Sequence, residues 1–171
     1  MGRLCLKYKI FLFGFGLAVI IDQITKHLIL NRFDHGESRL IIPEIFNLTS
    51  IRNPGAAFGF LSQVNPSFRI PFFIVVSLLA LSIIFFLLLK VEERDKRQSV
   101  ALSLIAGGAM GNLIDRIQLG HVVDFLDFHL RSQWHYPAFN FADVAICLGV
   151  GILIFGIFTV QMPSENIRNK I

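Results

Sequence analysis

Residues 70–89 read IPFFIVVSLLALSIIFFLLL, an apolar run with no charged side chain. As a helix rising about 1.5 Å per residue it reaches about 30 Å, the thickness of the hydrocarbon core of a bilayer. Three further stretches, roughly 10–30, 100–117 and 141–160, are also long and apolar enough to cross. The composition agrees: 54% of the 171 residues are apolar and 16% charged, and mean hydropathy is +0.63, whereas a soluble domain carries about 25% charge. The expected fold is therefore an all-α integral membrane domain of four transmembrane helices over 1–171, joined by two longer links at about 31–69 and 118–140. Long disordered tracts and internal repeats are not expected.

The basic residues set the expected orientation. Arg3, Lys7 and Lys9 precede the first run, Lys90, Arg94, Lys96 and Arg97 sit between the second and third, and Arg168 and Lys170 follow the fourth. The two longer links carry only Arg32, Arg39, Arg52, Arg69 and Arg131. The positive-inside bias places both termini and the 90–97 link in the cytoplasm and the longer links outside. The first run opens like a signal peptide but lacks a small-residue cleavage site and continues into Asp22 and Lys26, so an uncleaved anchor is expected. A net charge of +4 distributed in this way makes no nucleic-acid surface. Cys5 and Cys147 imply no disulfide framework, and Cys147 reads as a small buried hydrophobe.

Within the first link, Ile45 to Ile51 is β-prone with partial alternation and Asn53-Pro54-Gly55 is a turn signal, so a small sheet at the membrane surface is expected there. Phe58, Phe60 and Leu61 follow as an apolar platform, for the lipid interface or an extended peptide.

Six ionisable residues lie in or beside the apolar runs: Asp22, Lys26, Asp115, Arg116, Asp124 and Asp143. Each costs about 2.5–3.5 kcal/mol at a helix centre, so such residues face a bundle interior and mark a site. With segments one and three running outward and segment four inward, all six converge near the outer boundary of the bilayer. Helical spacing puts Asp22 with Lys26, Asn112 with Asp115 and Arg116, and Asn140 with Asp143 on shared faces. Asp22 and Lys26 can simply neutralise each other, and Arg116 can snorkel to lipid phosphates. Gly107, Gly108 and Gly111 fit close helix packing rather than phosphate binding.

The chemistry narrows by elimination. His121 with Asp124 fits a helical face and Asp127 with His129 a strand face, so the four do not make one metal shell, and no metal or other cofactor is expected. No Gly-x-Ser-x-Gly elbow is present, and Ser77, Ser82 and Ser103 lack an adjacent His. A pair of carboxylates remains. Two Asp side chains at the membrane edge cannot both ionise cheaply, so the pair holds one proton and provides both general acid and general base for attack of water on an amide. The amides of Asn53, Asn112 and Asn140 can hold substrate backbone or polarise its carbonyl. On spacing alone, either Asp124 or Asp115 could partner Asp143. Asp115 could instead pair with Arg116 or Arg52 and brace the site.

Five blocks make a resemblance specific: Asp22-Gln23-Ile24-Thr25-Lys26, Asn53-Pro54-Gly55-Ala56-Ala57-Phe58, Gly107 to Arg116, Val122-Val123-Asp124-Phe125 and Phe139-Asn140-Phe141-Ala142-Asp143. Together, in this order over nearly the whole chain, they resemble the motif blocks of the lipoprotein signal peptidases (signal peptidase II). Pro54 departs from that pattern, which more often has Thr or Arg. The resemblance implies four transmembrane helices with a small extracytoplasmic β-cradle and an intramembrane aspartic endopeptidase whose dyad falls on Asp124 and Asp143. Its supporting set falls on Asp22, Lys26, Asn53, Gly55, Asn112, Asp115, Arg116 and Asn140. It further implies a diacylglyceryl-modified prolipoprotein substrate cut before its lipidated cysteine, contact with membrane lipid, sensitivity to globomycin, residence in the bacterial inner membrane and a monomeric enzyme without cofactors. A proton-conducting transporter and a structural assembly subunit are the competing readings. The first needs polar residues through the full thickness of the bilayer, and the second needs no carboxylate chemistry.

Overall fold

The computed structural model describes residues 5–55, 61–130 and 134–160. Expectations placed on Arg3, Phe58, Phe60, Arg131, Arg168 and Lys170 lie outside the described residues. Among the described residues, four helices are long and apolar enough to cross a membrane: α1 (Leu6–Arg32), α2 (Pro66–Lys90), α3 (Lys96–Leu119) and α4 (Phe141–Val160). The first three begin four residues before their apolar windows; in α2 and α3 a polar cap starts the helix ahead of its hydrophobic stretch. Asn65 accepts from the Ser67 N–H at 2.9 Å ahead of Pro66, and Asp95 accepts from the Gln98 N–H at 2.9 Å, each satisfying an otherwise orphaned donor. Gly120 ends α3 at φ 74°, in the left-handed region that a side chain would strain.

Helix α3 is the centre of the bundle. Of its most apolar window 56% is buried, against 11% for α1 and 22% each for α2 and α4, whose outer faces are left to lipid. Glycines make the close approach possible. A Cβ on Gly107 would lie 2.6 Å from the Ala18 Cβ and 2.9 Å from the Phe15 carbonyl of α1. One on Gly108 would strike the Ala142 carbonyl of α4, and one on Gly149 would lie 2.6 Å from the Ala101 carbonyl of α3. With no hydrophobic force between helices in lipid, such backbone contact supplies the dispersion energy that holds them together. A cluster including Phe11, Leu81, Leu88, Leu102 and Leu113 fills the space among α1, α2 and α3.

The two ends of the bundle differ. At one end the start of α1 meets the α2–α3 connection, where Lys7 Nζ donates to the Val91 carbonyl at 2.7 Å and Cys5 Sγ lies 2.9 Å from Glu93 Oε1. At the other end sits an antiparallel sheet of β1 (Ser38–Ile42), β2 (Phe46–Asn53), β3 (Val122–Leu130) and β4 (Trp134–His135), in the order β1-β2-β3-β4. The sheet is larger than the single strand region expected at 45–51. Its longest strand, β3, lies in the stretch that sequence alone leaves as the 118–140 link. Pairing of Asn53 with Val122 and of Ile51 with Asp124 joins segments about seventy residues apart, which no local pattern reveals. Phe139 then bridges back to Leu126, its carbonyl accepting the N–H groups of Phe125 and Leu126 at 3.0 and 2.8 Å. That bridge starts α4 beside β3.

The glycine contacts give a paired expectation. Gly108→Ala should lower the unfolding midpoint in detergent micelles. Gly16→Ala, where nothing lies within 4 Å of the new Cβ, should leave it unchanged or raise stability by about 0.5–1 kcal/mol, the helix-interior difference between the two residues.

Candidate active site

The start of α4 is built by reciprocal capping. The Asp143 N–H donates to Asn140 Oδ1 at 3.0 Å, and Asp143 Oδ2 accepts the Asn140 N–H at 3.2 Å. This is the capping-box geometry with Asn at the cap and Asp three residues on. The local chemistry of a helix start therefore fixes the Asp143 carboxylate beside the positive end of the helix dipole. The other Asp143 oxygen accepts from Asn112 Nδ2 at 2.9 Å.

Asp124 reaches the same place from β3. Its Oδ1 accepts from Asn140 Nδ2 at 2.7 Å and its Oδ2 from Asn53 Nδ2 at 2.9 Å. Asn140, fully buried, thus bonds both carboxyl-bearing residues and also donates to Asn112 Oδ1 at 3.2 Å. Asn53 is itself locked by its turn, its Oδ1 accepting the Gly55 N–H at 3.0 Å. Burial pushes the Asp124 carboxyl up to about 7; the Asn53 bond opposes the rise, and the nearby Asp143 charge adds to it. Asp124 and Asp143 both line a pocket of about 300 Å³ whose walls include Asn53, Gly55, Asn112 and Arg116.

Behind this pocket lies a buried charge cluster. Lys26 Nζ sits 2.9 Å from Asp22 Oδ2 and 2.9 Å from Asp115 Oδ2, and donates to Asn112 Oδ1 at 2.8 Å. The intrahelical pair of Asp22 and Lys26 therefore exists, and α3 extends it to a triad. Asp22 Oδ1 accepts the Ala142 N–H at the start of α4 at 2.9 Å. Asp115 accepts the Val123 N–H of β3 at 3.1 Å. Its ionic partner is Lys26, not Arg116 or Arg52, because its side chain turns inward toward α1. Asp115 is absent from the pocket wall that Asp124 helps form. Arg116 lies over the Phe73 ring of α2 with its guanidinium carbon 5.0 Å from the centroid, and donates to the Gly55 carbonyl at 3.3 Å.

The structure thus brings Asp22, Lys26, Asn53, Gly55, Asn112, Asp115, Arg116, Asp124, Asn140 and Asp143 to one end of the bundle. Besides the partner of Asp115, two details differ from expectation. His121 and Asp124 share no helical face, since α3 has ended and β3 begins at Val122. Cys147 is exposed rather than buried, because the bundle leaves most of α4 unburied; it lines the pocket one turn below Asp143. No group of three or more His, Cys, Asp or Glu side chains suited to a metal occurs among the described residues. Gln23 was not singled out from sequence, yet its amide donates to Asp115 Oδ1 at 3.0 Å and to the Gly111 carbonyl at 3.1 Å. A polar side chain next to Asp22 in an apolar run was the available signal.

Comparison with known proteins meets this geometry directly. The sequence model of the family described as Signal peptidase (SPase) II matches residues 15–159. The chain belongs to the signal peptidase II family. The lipoprotein signal peptidase of Actinobacillus succinogenes is 47% identical over 156 residues, covering 91% of this chain and 94% of that protein. The one from Syntrophus aciditrophicus is 45% identical over 156 residues, covering 91% and 96%. A solved structure described as a bacterial membrane enzyme determined by the in meso method at 2.3 Å superposes with a TM-score of 0.80 at 32% identity, covering 94% of each chain. As a signal peptidase II, the chain is a multi-pass membrane peptidase with four apolar helices and a small antiparallel sheet.

The Lys26 triad has a direct consequence for stability. Lys26→Met leaves Asp22 and Asp115 buried without their cation and should cost about 3–5 kcal/mol, the range for breaking a buried ion pair. Thermal unfolding in detergent should show a larger loss for Lys26→Met than for Asp22→Asn, which removes a charge along with the bond.

Proposed function

We propose that this protein is an intramembrane aspartic endopeptidase that removes signal peptides from diacylglyceryl-modified prolipoproteins, cutting immediately before the lipidated cysteine. The observation that carries the proposal is the meeting of Asp124 and Asp143 in one pocket, tied together through Asn140. Family membership and the relatives named lipoprotein signal peptidase supply the substrate class.

The environments of the two acids support a division of roles. Asp124, whose carboxyl is raised to about 7, holds the proton. Asp143, which accepts from an amide and a backbone N–H, is the base. Water lying between them gives a proton to Asp143 as its oxygen attacks the scissile carbonyl, while Asp124 protonates the carbonyl oxygen. On collapse, Asp143 passes its proton to the leaving nitrogen and Asp124 recovers its own from the tetrahedral hydroxyl. Burial strengthens every such transfer, because no bulk water competes for the charges. Asn53 and Asn140 hold Asp124 in place, Asn112 orients Asp143, and Lys26 with Asp22 and Asp115 fixes Asn112. Arg116 and Gly55, on the pocket wall, meet substrate backbone or the lipid glyceryl group.

The positive-inside bias puts both termini in the bacterial cytoplasm and the sheet, with the dyad, at the outer face of the inner membrane. A lipid-anchored cysteine presents its scissile bond at that depth. The enzyme acts as a monomer without cofactor and is blocked by globomycin.

Purified enzyme incubated with a lipidated proprotein should lose kcat/KM about 10²- to 10⁴-fold on Asp124→Asn or Asp143→Asn, the usual worth of a positioned acid or base, with unfolding midpoints retained. Full cleavage by either variant removes that Asp from the reaction. The pH profile gives an independent reading. An acid that must be protonated gives a rate that declines as pH rises through its pKa, so kcat/KM should fall on an alkaline limb with a midpoint of about 7. The Asn53 bond favours the ionised form; Asn53→Ala should therefore move that limb to higher pH.

A further inference from the structure

The end of the bundle opposite the dyad carries two apolar grooves that meet. One, about 500 Å³, lies among α2, α3 and α4, with Leu102 of α3 on its floor and Leu87 and Ile152 on its walls. The other, about 620 Å³, runs along the outer face of α3 and α4 from Phe155 past Gly151 to Cys147. Both include Ile152 and Arg97, so they diverge from one cation. Lys90 stands at the mouth of the first and Lys96 at the mouth of the second. Gly156 lets Arg97 lie flat on α4, its guanidinium nitrogens 3.0 and 3.4 Å from where a Cβ would be. At Gly151 nothing occupies the space within 4 Å of the missing side chain, so the second groove has an open notch midway.

Two apolar channels that fork from a cationic point match one class of molecule. We infer that this end of the protein binds an anionic diacyl phospholipid, with one acyl chain in each groove and the phosphate at Arg97 between Lys90 and Lys96. Basic pockets between transmembrane helices select anionic headgroups; the first groove encloses methylenes among three helices, and the second is a shallower apolar track along α3 and α4. From Phe155 to Cys147 the second groove is eight residues of helix long, or about 12 Å, enough for most of one leaflet's acyl depth. The second groove ends at Cys147, which also lines the carboxylate pocket, whereas the cationic fork at Arg97 lies at the opposite end of the bundle and does not depend on the peptidase reading.

The test uses the full-length protein in detergent, titrated with dioleoylphosphatidylglycerol, dioleoylphosphatidylcholine and the single-chain oleoyl lysophosphatidylglycerol, and read by native mass spectrometry together with the shift in unfolding midpoint. Phosphatidylglycerol should form a discrete one-to-one complex and raise the midpoint. The choline lipid and the single-chain lipid should each bind about tenfold more weakly or worse, given the worth of one charge-matched headgroup or of a few buried methylenes. Arg97→Gln should weaken phosphatidylglycerol binding about fivefold, the equivalent of one interfacial basic residue. Gly151→Leu, which fills open space without a clash, should reduce the two-chain lipid to the affinity of the single-chain one and leave the lipid-free midpoint unchanged. Equal binding of choline and glycerol headgroups, equal binding of one and two chains, or indifference to both substitutions would overturn the proposal.

Discussion

A buried ammonium holds this structure's polar end together. Lys26 neutralises a carboxylate from its own helix and another from α3, and its third bond passes to Asn112, which holds Asp143. Both carboxylates then brace the chain elsewhere: Asp22 receives the first turn of α4 and Asp115 the first residues of β3. One charge in the low-dielectric interior thus positions the two segments that carry Asp124 and Asp143. Removing charges from water is costly, and it is repaid here only because every partner is within hydrogen-bond reach.

The same cluster gives acids of equal chemistry different surroundings. Asp115 is saturated by an ammonium, an amide and a backbone N–H, and it faces away from the pocket. Asp124 is bonded only by neutral amides, and burial, with the neighbouring Asp143 carboxyl, raises its own carboxyl to about 7. Environment sorts four carboxylates, three buried and Asp143 half-buried, into two that brace neighbouring segments and two that face the pocket.

Much of this was legible in the sequence for a simple reason. In lipid, an ionisable side chain is expensive enough that its presence at a given helical depth carries information; the depths of Asp22, Lys26, Asp115 and Asp143 alone bring them to one level. Helix spans followed from apolar length, with their ends displaced by caps such as Asn65 and Asp95. The partner of Asp115 was not legible, because i, i+1 proximity to Arg116 says nothing about which way each side chain turns on α3. Nor was β3, whose register with β2 is set by contacts far apart in the chain, nor the exposure of Cys147, since an apolar residue on a membrane helix satisfies lipid and core alike. Asp124 was ranked above Asp115 through the family motif; spacing alone left the two equal.

The account depends on Asp124 keeping a proton near neutral pH beside the carboxyl group of Asp143. Difference infrared spectroscopy of the protonated-carboxyl carbonyl band, followed through a pH titration of the purified protein, reads this directly. A band that disappears with a midpoint of about 7, is absent from Asp124→Asn, and moves to lower pH in Asp143→Asn is the predicted result. Loss of every such band below pH 5, or a band at neutral pH that survives in Asp124→Asn, would contradict it.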